Sequence, residues 1–270
     1  MKLAISNIAW DNSELDEHLK LVKRLGCQGI ELAPSCIWSE PVNTSDLERK
    51  TLKEKIKEIG LEIVGLHALL FTKPELELFA STQSRLETGE YLKKLFKLCQ
   101  DLGGKTLIFG SPKNRKLNGK SCKECLQIAV GFFKTLMSSA QQYNVILCIE
   151  PLSIKESDFI TSSEEAISLI ESVSHTNFGL HLDAKAMIEA NEDFETVFRK
   201  YGKLLRHFHV GDSGLTPPGS MGFNHKAIGD ALCSCGYKGF VSIEMRRGFD
   251  PSREIIEKSI NYVKDCYGII

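Results

Sequence analysis

The 270 residues predict a single-domain (β/α)8 TIM barrel of the α/β class, spanning residues 1–270. Three observations carry this. Eight short apolar runs alternate with eight helix-like stretches, about 34 residues per unit, the spacing such a barrel needs. The runs are nearly continuously apolar, as expected of parallel strands covered on both faces. Neither Gly-x-Gly-x-x-Gly nor a P-loop occurs, and the turn Ala9-Trp10-Asp11-Asn12 after the first run has no glycine. A doubly wound nucleotide fold is therefore disfavoured.

The strand runs fall at 3–9, 29–32, 62–67, 105–110, 145–150, 178–183, 205–210 and 240–245. Ser13 is expected to cap the first helix, with Asp16 closing a short-armed capping box. Leu15, Leu19, Val22 and Leu25 form its apolar stripe, and Gly26 stops it. A second helix over 47–59 stops at Gly60, and a third over 86–102 ends at Gly103-Gly104. The fourth, over 121–142, carries Leu126, Val130, Phe133 and Met137 at helical spacing. Ser162-Ser163-Glu164-Glu165 opens the fifth with acidic residues at its positive end. Helices near 185–202, 224–235 and 251–267 complete the set, with Pro251 suited to the first turn of the last. No linker or low-complexity segment divides the chain.

Composition excludes several classes of function. The chain has 34 Lys+Arg against 35 Asp+Glu, a net charge of −1, so no excess charge drives nucleic-acid binding. No apolar run reaches about 18 residues, which excludes a helical membrane span. The N-terminus lacks a signal-peptide pattern, and nine scattered cysteines read as free thiols in a reducing compartment. A cytoplasmic location is expected. Cys122-x-x-Cys125 and Cys233-x-Cys235 lack a second pair at zinc-site spacing.

In a barrel, chemistry gathers at the C-terminal ends of the strands. Runs five to eight end at Glu150, Asp183, His209 and Glu244 in turn. Three oxygen donors and one imidazole suit a hard or borderline divalent cation: Mn²⁺, Mg²⁺, Co²⁺ or Zn²⁺. Without a cation, three converging carboxylates would repel one another. The bland alternative is four unrelated polar end-caps. His181 and His207 share strand parity with Asp183 and His209 and are expected to be satisfied interior histidines. The second run carries Glu31, and the third ends at His67.

The segments Ile149-Glu150-Pro151-Leu152, Gly179-Leu180-His181-Leu182-Asp183, His207-Phe208-His209-Val210 and Ile243-Glu244 resemble the xylose-isomerase-like TIM-barrel superfamily. Within it, the chain is similar to the sugar-phosphate isomerase/epimerase group from Lys2 onward. That group includes ketose 3-epimerases, inosose dehydratases and hydroxypyruvate isomerases. The resemblance implies one divalent metal held by Glu150, Asp183, His209 and Glu244. It also implies proton shuttling by Glu150 and Glu244, and a homodimer. Ketose 3-epimerases of the group place a substrate-binding His where Ala186 stands and an Arg where Leu215 stands. Glu156 fits their substrate-binding glutamate.

A cation on a carbonyl and its neighbouring hydroxyl acidifies the adjacent C–H. A carboxylate can then remove that proton, giving an enediolate. Return of the proton yields isomerisation or epimerisation, and loss of a β-hydroxyl yields dehydration. Lys185 is a candidate substrate or oxyanion contact. Lys113 and Arg115, in the loop after strand four, are candidates for holding a substrate phosphate or carboxylate. Arg246 has the parity to face the site and Arg247 does not. His67 is expected to reach substrate hydroxyls, Trp10 or Trp38 to stack on a sugar face, and 213–223 to form a lid.

The sequence thus predicts a metal-dependent isomerase or epimerase of a sugar or sugar-derived keto substrate, phosphorylated and acidic ones included. A dehydratase of an inosose-like substrate is the alternative. Less favoured are a non-catalytic sugar-binding barrel and an apurinic endonuclease relative. The last needs three zinc ions and extra histidines, where this chain has Phe109-Gly110 and Ala186. The expected partner is a small molecule, with neither nucleic acid nor membrane.

Overall fold

Eight parallel strands close on themselves in strict chain order in the computed structural model, which describes all 270 residues. They are β1 (Lys2–Ser6), β2 (Gly29–Leu32), β3 (Glu62–Leu66), β4 (Thr106–Phe109), β5 (Ile146–Ile149), β6 (Phe178–Asp183), β7 (Leu205–Val210) and β8 (Phe240–Ile243). Closure is made by β1 against β8, with Lys2 opposite Phe240 and Ala4 opposite Ser242. The surrounding helices are α1 (Leu15–Arg24), α2 (Asp46–Ile59), α3 (Thr82–Leu102), α4 (Cys122–Gln142), α5 (Ser163–Val173), α6 (Ala184–Glu189), α7 (Phe194–Tyr201), α8 (His225–Ser234) and α9 (Ser252–Tyr267). The expected (β/α)8 barrel is the fold.

Helix starts follow local side-chain chemistry. Ser45 and Glu48 form a reciprocal capping box at α2, and Ser81, Ser121 and Ser162 cap α3, α4 and α5. The cap at Ser81 starts α3 at Thr82, four residues before the sequence pattern suggested. Ahead of α1 the capping residue is Asp11 rather than Ser13, and it caps a 3-10 turn, while α1 itself follows Glu14 with no side-chain cap. The Asp11 carboxylate accepts from Ser13 N at 3.0 Å and Ser13 Oγ at 2.8 Å, forming a 3-10 turn over Asn12–Glu14 before the α-helix begins.

Two further expectations are corrected. The first strand stops at Ser6, and Asn7–Ala9 form a 3-10 turn. There the Asn7 Oδ1 accepts from Ala33 N at 2.7 Å and ties the turn to the end of β2. The single helix expected over 185–202 is two, α6 and α7. Asn191 adopts a left-handed φ of 52°, and Asp193 caps the new helix by accepting from Thr196 N.

A large apolar core lies between strands and helices. Phe133 of α4 illustrates it: fully buried, it meets Phe109 of β4 at 5.4 Å and Phe178 of β6 at 4.8 Å between ring centroids. No helix is long and apolar enough to cross a membrane. All nine cysteines are free.

Candidate metal centre

The four terminal residues meet at one rim of the barrel. Glu150 immediately follows β5, Asp183 ends β6, His209 lies in β7 and Glu244 immediately follows β8. One donor atom from each falls within 4.8 Å of the others. Glu150, Asp183 and His209 are buried, and Glu244 is partly so. Parallel strands with shared register place successive C-terminal residues side by side, and Asp183 sits directly opposite His209 in the ladder. Asp183 also caps α6, its Oδ1 accepting from Lys185 N at 2.7 Å.

The electrostatics are those of crowded carboxylates. Burial, then the charge of Glu244, raises the Glu150 carboxyl to about 8. Burial, with Glu244 adding to it, raises Asp183 to about 6 against the opposing pull of Lys185. Burial pushes Glu244 up too, but His209 and His67 overcome it and hold it well below the usual carboxylate range. His67 Nδ1 donates to Glu244 Oε1 at 3.1 Å, and its Nε2 accepts from the Ser6 hydroxyl at 2.5 Å. His67 therefore supports Glu244 from within the barrel. Gly110 closes the other side: a Cβ there would collide with Glu150 Oε2.

Glu156 and Lys185 come together beside the ligand set. Lys185 is buried, and its Nζ donates to both Glu156 carboxylate oxygens at 3.1 Å. Lys113 is exposed on a 3-10 turn over Pro112–Asn114. Arg246 is exposed, with its guanidinium 4.6 Å from the Phe249 ring and its Nε donating to Gly214 O at 3.3 Å.

Four expectations are corrected here. Arg115 is not a rim cation: it is 0 % exposed and its Nη2 donates to the backbone carbonyls of Glu150 at 2.8 Å and Ile160 at 3.4 Å. Trp10 is packed rather than open to a sugar, 1 % exposed and stacked on His18 at 5.1 Å between rings. The 213–223 segment is fastened rather than a free lid. Buried Asp212 accepts from Met221 N and His225 Nε2, both at 2.7 Å, and Arg246 N donates to Leu215 O at 2.8 Å. His207 is satisfied as expected, but His181 is not: neither of its ring nitrogens has a hydrogen-bond partner.

The sequence pattern assigns no chemistry to one residue of the barrel interior. Glu31 of β2 is fully buried and accepts from His207 Nε2 at 3.1 Å, His209 Nε2 at 2.8 Å and Ser242 Oγ at 2.7 Å. Its one sequence signal was a carboxylate inside an otherwise apolar four-residue strand.

The chain belongs to the xylose isomerase-like TIM barrel family, which it matches over residues 19–266. A D-psicose 3-epimerase of Enterocloster bolteae is 24% identical over 250 residues, covering 90% of this chain and 82% of that protein. A probable endonuclease 4 of Mesomycoplasma hyopneumoniae is 27% identical over 210 residues, covering 74% and 69%. Among solved structures, a 3-keto-D-glucoside 4-epimerase from E. coli superposes with a TM-score of 0.84 at 18% identity, covering 98% of this chain and 100% of that one. At that identity the structural likeness concerns the fold.

Proposed function

We propose that the protein is a divalent-metal-dependent epimerase or isomerase of an uncharged keto sugar, working through an enediolate. The observation that carries this is the convergence of Glu150, Asp183, His209 and Glu244 within 4.8 Å. The donor set fits a cation on two grounds. Burial, with the charge of Glu244 adding to it, drives Glu150 up to about 8, a cost that a cation among the three carboxylates would relieve. His209 Nδ1 is buried without a hydrogen-bond partner, while its Nε2 is taken by Glu31. A bound divalent ion would polarise the substrate carbonyl and acidify the neighbouring C–H.

The chain's own residues supply the rest. Glu150 and Glu244, on strands three apart around the rim, remove and return the proton. Lys185, held by Glu156, stands beside them to donate to a substrate oxygen. His67 keeps Glu244 aimed.

The charge balance favours an uncharged substrate. Lys185 is neutralised by Glu156, Arg115 is buried with its Nη2 on backbone carbonyls and its Nε and Nη1 unpartnered, and Arg246 rests on Phe249 and Gly214. Of the residues expected to hold a phosphate or carboxylate, Arg115 is withdrawn into the interior and Lys113 is exposed. A nuclease is disfavoured by the net charge of −1.

Chelator-treated protein titrated with Mn²⁺ is expected to take up one ion per chain and then to turn over a member of a neutral ketose panel. A chain that takes up no divalent ion would contradict the proposal.

A further inference from the structure

We propose that Glu31 is a positioning residue, which sets the tautomer and aim of His209 from beneath the cation site. The inference rests on His209 being a ligand, as proposed above. It concerns a residue outside the ligand set.

A lone carboxylate in an apolar barrel interior is costly unless its charge is met by hydrogen bonds. Glu31 draws three donors onto one oxygen, Oε2, from His209 Nε2, His207 Nε2 and Ser242 Oγ, while its Oε1 is buried without a partner. The contacts cross the barrel, because β2 is separated from β8 by β1 and from β7 by two strands. A residue needed only to fill the barrel interior at this position would be apolar.

The consequence for His209 is chemical. An imidazole has two nitrogens, and the one that donates fixes which remains free to ligate. Donation from Nε2 to Glu31 leaves Nδ1 as the free nitrogen. Nδ1 is the atom on the ligand side, 3.3 Å from Glu244 Oε2 and without a hydrogen-bond partner. A carboxylate behind a ligating histidine locks the ring and raises its basicity, and losing such a partner typically weakens metal binding about 10–100-fold. His207 and Ser242 hold Glu31 itself in place, so the three residues form one support for a single ligand ring. A glutamine would keep the shape but lose the charge, and its amide can turn an N–H toward the Nε2–H it should accept from.

The test is Mn²⁺ titration of chelator-treated Glu31→Gln, with Ser242→Ala alongside and the thermal midpoint of each metal-free protein recorded. Glu31→Gln is expected to bind one ion per chain about 10–100-fold more weakly. Ser242→Ala, which spares both histidine contacts, is expected to weaken binding less. A folded Glu31→Gln with unchanged Mn²⁺ affinity, or a loss no larger than that of Ser242→Ala, would overturn the proposal while leaving the metal centre intact. A wild-type chain that takes up no ion would overturn both. Should Glu31→Gln not fold, histidine-labelled wild-type protein loaded with Zn²⁺ decides by ¹⁵N NMR. The expected spectrum has His209 protonated on Nε2 and ligating through Nδ1. The opposite assignment would overturn the proposal.

Discussion

Glu150→Gln is expected to lower turnover by about 10²–10⁴-fold, the range for removing a positioned acid or base. The fold should survive, because the Glu150 side chain makes no hydrogen bond; its nearest histidine contact is His181 Nε2 at 3.7 Å. The variant also has a signature independent of substrate. In metal-free wild-type protein the Glu150 carboxyl titrates near 8 when folded, against an ordinary value of 4.5. The folded state then holds a proton that the unfolded state has lost between those values. The stabilisation is present in full below about 4.5 and is lost as pH rises toward about 8. Asp183, raised to about 6 from 3.8, acts with the same sign over its own lower window. Thermal melts in chelator at pH 5 and pH 8 should show wild type losing more stability than Glu150→Gln over that interval. Retained turnover would remove Glu150 from the proton-transfer role, and identical pH profiles would contradict its raised value.

Lys185→Met is expected to lower kcat/KM by about 10–100-fold, the loss of one charge-assisted hydrogen bond to substrate. Lys185 faces four carboxylates: Asp183, Glu156, Glu244 and Glu150 all pull on its charge. Methionine keeps the buried stem and removes the ammonium, so the defect should lie in substrate handling rather than in Mn²⁺ stoichiometry. Steady-state kinetics on the most active ketose measures it. An unchanged kcat/KM would leave Lys185 as a structural partner of Glu156.

The barrel was legible because parallel strands buried on both faces leave continuous apolar runs, and because serine and glycine punctuate most helices where backbone groups need them. Glu150, Asp183, His209 and Glu244 were legible for a related reason: a polar residue closing an apolar run marks the strand's C-terminal end. Glu31 carries no such signal. It lies inside a run rather than at its end, and its partners are 176, 178 and 211 residues away. Arg115 looked like part of the charge cluster with Lys113 and Lys116. Only the packed structure shows its chain turning inward to carbonyls 35 and 45 residues on. The break between α6 and α7 depends on Asn191 adopting a left-handed backbone, which asparagine tolerates but does not demand.

Glu150 and Glu244 are proposed to exchange a carbon-bound proton next to the substrate carbonyl. Incubating Mn²⁺-loaded protein with a neutral ketose panel in D₂O tests it directly, with mass spectrometry and proton NMR on recovered substrate and product. One solvent deuterium is expected at the carbon adjacent to the carbonyl in the product, and none with Glu150→Gln. Turnover that leaves every carbon-bound proton in place would contradict that exchange.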